Sequence, residues 1–248
     1  MILEGKISVK AALLAARRDV KAVYVQKGRH DKETAFILAK AREHGVRTEL
    51  LEREELDQRA EGKTHGGILC EASERKKDEE SALFSAENPF VFVLEGAEDP
   101  FNYGYVIRSL YAGGCTAMIV RTRTWTSAEP VILKSSAGAY DYLPIIESDA
   151  PEELIQKCRE RGFSCYAAMR KDAMVYTDAD YTGPVLLAVG GEMRGLSKNV
   201  LEACQSNVYI PYANDFRNAL NASSAASVLA FEVLRQRRFD KMKPEGIV

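Results

Sequence analysis

From Pro89 onward the chain alternates short apolar runs with stretches of helical spacing. The apolar runs are FVFVLEG (90–96), AMIVRT (117–122), SCYAAM (164–169), PVLLAVGG (184–191) and NVYIP (207–211). A short apolar run without polar alternation is a strand buried on both faces, and strands separated by helices pair in parallel. VIRSLYAGG, PVILKSSAGA, PEELIQKCRERG and LSKNVLEAC supply the intervening helices, and ALNASSAASVLAFEVLRQRRF closes the chain. The expected fold is α/β, with a parallel sheet covered by helices.

Residues 1–72 alternate in the same way on a smaller scale. SVKAALLAARR reads as a helix with Ser8 as its N-cap, VKAVYVQKG as a strand, and TAFILAKAREHG as a helix closed by Gly45. VRTELLE and GGILCEA read as strands around a short helix, REELDQRA. The charged stretch SERKKDEESALFSAEN then reads as a linker or a loosely attached helix. The expected organisation is a small α/β domain at 1–72, a linker at 73–88 and a larger domain at 89–248.

Hydrophobic residues make up 46% of the 248 and charged residues 28%, which excludes disorder. A net charge of −2 neither indicates nor excludes a nucleic-acid partner. Five cysteines without a CxxC pair and three scattered histidines give no zinc spacing, so no metal is expected and the thiols read as small buried hydrophobes. No run approaches the ~18 apolar residues of a membrane span, so a cytoplasmic protein is expected.

Three stretches are too polar and too rich in glycine to be plain strand ends: DPFNYGYVIR (99–108), AVGGEMRGLS (188–197) and YIPYANDFRNALNASSA (209–225). Each follows a buried strand and precedes a helix, which is where open parallel sheets bind ligands. Gly190, Gly191 and Gly195 are spaced G-G-x-x-x-G, which is neither the dinucleotide pattern G-x-G-x-x-G nor a P-loop. A ligand held by backbone groups from several strand-end loops fits this better than a phosphate cradle.

Together the three stretches resemble the SpoU-type RNA ribose 2′-O-methyltransferases of the SPOUT superfamily. Asn102, Gly104 and Arg108 match that family's first motif, and Gly190, Glu192, Gly195 and Leu196 its second. Ile210 and Pro211 match the opening of the third motif, and Leu220 and Asn221 its end. KSSAGAYDYLPI (134–145) resembles the stretch between the first and second motifs. Residues 1–72 resemble the small RNA-binding domain many members carry. One position departs: Ala219 stands where the family has Ser, and a methyl group makes no hydrogen bond.

The resemblance implies a parallel-sheet SPOUT domain with a C-terminal trefoil knot and a pocket for S-adenosyl-L-methionine. Val189, Gly190, Ile210 and Leu220 would hold the cofactor, and Asn102, Arg108, Glu192 and Asn221 would be catalytic. Arg108 would act as general base toward a ribose hydroxyl or stay charged and stabilise the alkoxide. Removing a proton from any arginine at pH 7 costs roughly 7 kcal/mol, so the base role needs an RNA phosphate to take that proton. Asn102 would orient Arg108 or the ribose, and Glu192 would hold the constellation in place. Lys6, Lys10, Arg17, Lys27, Arg29, Lys63 and His65 are candidate phosphate contacts. The implied partners are RNA, ribosomal rather than transfer RNA, and a second copy of the chain as a homodimer. The alternatives are a transfer-RNA enzyme or a non-catalytic RNA binder that kept the fold.

Overall fold

The computed structural model describes residues 1–62, 64–123, 127–191, 194–215 and 218–238. They form two compact units. One gathers Met1–Lys77 with Tyr103–Arg108 and Thr124–Tyr142; the other gathers Asp78–Asn102, Ser109–Arg123 and Leu143–Val248.

The first unit has a mixed sheet of β1 (Ile2–Glu4), β2 (Val20–Gln26), β3 (Arg47–Leu51) and β4 (Ile68–Ala72), in the order β1-β4-β2-β3. β4 runs antiparallel to both neighbours, and β2 and β3 are parallel. Helices α1 (Gly5–Leu14), α2 (Lys32–Glu43) and α3 (Arg53–Arg59) complete the alternation. Ala22, Tyr24, Leu51, Leu56 and Leu69 form an apolar cluster in this unit. α1 begins before Ser8: Gly5, at φ +85°, turns the chain straight from β1 into the helix, and Ser8 is buried within its first turns. α2 starts where Asp31 accepts the amide of Thr34 at 3.0 Å.

Helix α4 (Pro100–Ala112) gives its middle turns to this unit, with α5 (Glu129–Ser135) and α6 (Ala139–Tyr142). Arg18 joins these helices to the small sheet. Its Nε lies 2.9 Å from Asp141 Oδ2, its Nη1 lies 2.7 Å from Glu129, and Nη1 also donates to the carbonyl of Ser73. The Arg18 and Asp141 side chains are fully buried. Burial raises the Asp141 carboxyl, and the Arg18 guanidinium opposes that shift.

The second unit is a sheet of seven parallel strands: β5 (Phe90–Glu95), β6 (Ala117–Val120), β7 (Ile145–Glu147), β8 (Ser164–Ala168), β9 (Ala173–Val175), β10 (Val185–Gly190) and β11 (Ser206–Tyr209). Their order is β7-β6-β5-β10-β8-β11-β9. The chain first builds outward from β5 to β7, then crosses to the other side of β5. Strand ends on either side of such a reversal leave a crevice. α7 (Pro151–Glu160), α8 (Lys198–Ala203) and α9 (Ala222–Arg238) belong to this unit. All six residues of β5 are buried, as its unbroken apolar run requires.

The five anticipated strands are all present. β7 and β9 were not anticipated, because three residues are too few to show a period. Ser73–Asn88, expected to be a linker or a loosely attached helix, holds a short 3-10 helix at Glu80–Phe84; Arg75 donates to the carbonyl of Tyr140 in the first unit, and Leu83 is fully buried in the second. All five cysteines are buried. Desolvation pushes the thiols of Cys70, Cys158, Cys165 and Cys204 up to about 12. Among the described residues no helix is long and apolar enough to cross a membrane.

Candidate active site

The site is built at the ends of β5, β10, β8 and β11. At the end of β10, Gly191 and Gly195 face each other across a turn, and the amide of Gly195 donates to the carbonyl of Gly191 at 3.0 Å. A Cβ on Gly190 would overlap the main chain of Gly195 and Leu196, and one on Gly191 would overlap the carbonyl of Gly96. These two glycines are there for close approach. Gly195 answers a different need: its surroundings are open, but its φ is +64°.

Glu95, the last residue of β5, fixes this turn. Its carbonyl accepts the amide of Gly191 at 2.6 Å, and its carboxylate accepts the amide of Ser197, also at 2.6 Å. Arg121 donates to the other carboxylate oxygen at 2.8 Å. Ser197 then caps α8 by accepting the amide of Val200.

After β11 the chain passes through Ile210 and Pro211 to Tyr212, whose hydroxyl accepts the amide of Leu220 at 2.8 Å. That bond closes the 212–220 loop. Asn221, expected to be catalytic, sits at the N-terminus of α9: its Oδ1 accepts the amide of Ser224 at 2.8 Å and the hydroxyl of Ser223 at 3.1 Å.

These loops surround a cavity of about 390 Å³. All four residues expected to hold the cofactor, Val189, Gly190, Ile210 and Leu220, line it, as do Ala219, Tyr212 and the β8–β9 turn residues Met169 and Arg170. The volume lies in the range of small-molecule sites, and the lining is mainly apolar side chains and exposed backbone. Such a wall can sandwich a flat heterocycle and read its edge with main-chain N–H and C=O groups.

The opening motif takes a form the sequence did not suggest. DPFNYG is the first turn of α4 rather than a loop, because Asp99 accepts the amide of Asn102 at 2.8 Å and Pro100 is suited to the first helical position. Asn102 is half-buried and Arg108 is exposed. Six residues along a helix correspond to about 240° of arc, so the two side chains leave α4 on different faces. Gly104 lets α4 approach α5 closely, since a Cβ there would overlap the hydroxyl of Ser135 and lie 3.0 Å from the carbonyl of Ile132. Glu192 lies outside the described residues.

In the first unit several candidate phosphate contacts are already engaged. Lys6 and Arg29 share Asp31 at 2.8 and 2.9 Å, and Lys27 lies 2.7 Å from Glu52. Lys10 lies over the ring of Phe36. His65 is fully buried, with Nε2 2.7 Å from Asp57 and Nδ1 accepting the amide of Gly67, so it is not a surface contact. Lys63 lies outside the described residues.

Residues 89–231 match the SpoU rRNA Methylase family. The chain belongs to that family. Residues 2–77 match the RNA 2′-O ribose methyltransferase substrate-binding domain, which accompanies the SpoU region here. The 23S rRNA (guanosine-2′-O-)-methyltransferase RlmB of Pseudomonas putida is 30% identical over 239 residues, covering 94% of this chain and 96% of the relative. RlmB of Yersinia pestis is likewise 30% identical, covering 95% and 97%. A crystal structure of an RNA 2′-O ribose methyltransferase superposes with a TM-score of 0.77 at 25% identity, covering 95% of this chain and 88% of that one. The SpoU methyltransferase AviRb from Streptomyces viridochromogenes, solved in complex with AdoMet, shares the fold at a TM-score of 0.78 and 23% identity, covering 95% and 89%.

Sequence reading missed Glu95, Tyr212 and Arg170. Glu95 looked like the end of an apolar strand, and Tyr212 and Arg170 stand outside the matched motif positions. Their importance lies in contacts 8 to 102 residues apart in sequence, which no local pattern reveals.

Proposed function

We propose that this SpoU-family protein transfers a methyl group from S-adenosylmethionine to a ribose 2′-hydroxyl of ribosomal RNA. The observation that carries this reading is the cavity of about 390 Å³ walled by Val189, Gly190, Ile210 and Leu220, two from each of two separate motif stretches of the sequence. When bound there, the cofactor supplies an electrophilic methyl group on its sulfonium. The protein's part is to bind, orient and exclude water. Val189, Ile210 and Leu220 offer apolar surface to the adenine, and the main chain around Gly190 and Leu220 offers polar groups to its edge. Arg108, exposed on α4, is the group proposed to meet the RNA. While charged it accepts no proton, so it either stabilises the developing alkoxide as the hydroxyl proton passes to solvent, or gives a proton to an RNA phosphate and takes the hydroxyl proton in its place. Asn102 and Glu192 complete the proposed catalytic set, and Asn221 contributes by starting α9.

Around this core we read residues 1–72 as the RNA-binding domain, 73–88 as the connection and 89–248 as the methyltransferase domain with the family's knot. Support for this division comes from the two family matches, at 2–77 and 89–231. We read the protein as a cytoplasmic homodimer. Exposed Phe101, Tyr105 and Tyr111 along α4, with Phe231 on α9, support a second copy of the chain as partner.

Total RNA from a strain lacking the protein, incubated with the purified protein and labelled S-adenosylmethionine, tests the activity. The reading expects one methylated ribose, blocking alkaline cleavage at one position, and no transfer to RNA from the parent strain. Label on transfer RNA alone would favour the transfer-RNA alternative. Tight RNA binding without any transfer would favour a binder that kept the fold, as Ala219 in place of the family Ser suggests.

A further inference from the structure

Arg170 is the only charged side chain among the described residues lining the 390 Å³ cavity. It lies on the turn between β8 and β9, and that turn is braced. The amide of Met169 donates to the carbonyl of Val208 at 3.0 Å, the Asn207 side chain donates to the carbonyl of Lys171 at 2.9 Å, and Asp172 holds the bend at φ +50°. The guanidinium lies 4.7 Å from the centroid of the Tyr212 ring, and the Tyr212 hydroxyl in turn accepts the amide of Leu220. Among the described residues no carboxylate pairs with Arg170. A cation held by a braced turn and an aromatic face, yet not neutralised, is prepared for an anion.

We propose that Arg170 binds the carboxylate at the amino-acid end of S-adenosylmethionine, an inference that rests on the cofactor reading above. That ligand carries a sulfonium, an ammonium and a carboxylate, and only the last attracts a guanidinium. The rest of the described lining is uncharged and mainly apolar, which suits the adenosine but leaves the carboxylate without a counter-charge. Arg170 supplies it. The planar fork of a guanidinium can meet both carboxylate oxygens while its face stays on Tyr212. Arg170 thereby separates this ligand from adenosine derivatives that lack the acid.

The test compares S-adenosylmethionine with decarboxylated S-adenosylmethionine, which differs only in the missing carboxylate, by titration calorimetry on the full chain. The parent should bind the first more tightly, by on the order of tenfold or more, as befits a charge-assisted contact. Arg170→Gln should lose that preference while binding the decarboxylated compound as the parent does, and Arg170→Lys should keep part of it. If Arg170→Gln weakens both ligands equally, the side chain only braces the Tyr212 loop and the proposal fails. If it weakens neither but lowers kcat/KM for RNA, the guanidinium meets a phosphate and the proposal again fails. A parent that binds neither compound overturns the cofactor reading itself, whereas a parent that binds both equally overturns only the Arg170 assignment.

Discussion

Glu95 and Ser197 lie 102 residues apart, and the carboxylate of the first accepts the amide of the second at 2.6 Å. Because the Glu95 carbonyl also holds Gly191, one residue at the end of β5 fixes both ends of the turn that walls the cavity. Glu95→Gln keeps the size but not the chemistry. The carboxylate faces two donors, the Ser197 amide and Arg121, and a carboxamide can accept from only one of them while turning its NH₂ toward the other. The expected cost is about 1–3 kcal/mol in unfolding free energy, with weaker S-adenosylmethionine binding. Denaturant melts and calorimetry check both. Unchanged affinity would show that the turn does not need this anchor to form the cavity wall.

Gly190→Ala and Gly195→Ala should behave very differently. The new methyl at 190 has no rotamer to escape into and meets main chain, so the loss should be roughly 3 kcal/mol or more, or failure to fold. At 195 there is space but a positive φ, so the loss should stay near 1 kcal/mol. Equal costs in chemical denaturation would contradict the packing seen around Gly190.

Asp31 ties acid stability to the first unit. The Lys6 ammonium first, then the amide and hydroxyl of Thr34, hold its carboxyl well below the usual carboxylate range. A carboxyl depressed by folding contributes stability above its unfolded pKa of about 3.9 and loses it as the pH falls toward the folded value. Asp31→Asn removes that titration. Thermal melts should therefore find the parent more stable at pH 6, with the gap to Asp31→Asn closing as the pH falls below 4. A constant gap across this range would mean that Asp31 acts only as a neutral cap.

Arg108→Ala tests the reacting group. A residue whose contribution arises mainly in the transition state should, on removal, lower kcat on the order of a hundredfold or more and leave S-adenosylmethionine affinity nearly unchanged. Single-turnover transfer and calorimetry separate the two. Parental transfer rates in Arg108→Ala would remove the arginine from the chemistry.

The large sheet was legible because five of its strands are runs of apolar residues long enough to carry a signal, and their helices have clear breaks. β7 and β9, three residues each, owe their existence to the partners beside them. α4 was read as starting after its motif, because Asn and Gly in DPFNYG look like turn residues. The Asp99 cap and the contact of Gly104 with α5 show why both belong to a helix. Val189, Gly190, Ile210 and Leu220 were named from the family resemblance and lie around one cavity. The groups that hold that cavity open, Glu95 and Tyr212, act across the fold and leave no mark in their own neighbourhoods.

The two stretches beside the cavity are fastened in different ways. Gly191 and Ser197 are both held by Glu95, so an inserted residue between them would have to break one of those bonds or push into the backbone that already crowds Gly190. Tyr212 and Leu220 are held to each other, and Ala219 lines the cavity with both, so the neck of that loop is itself part of the wall. A designer grafting a new segment onto this scaffold should leave the first stretch at its present length.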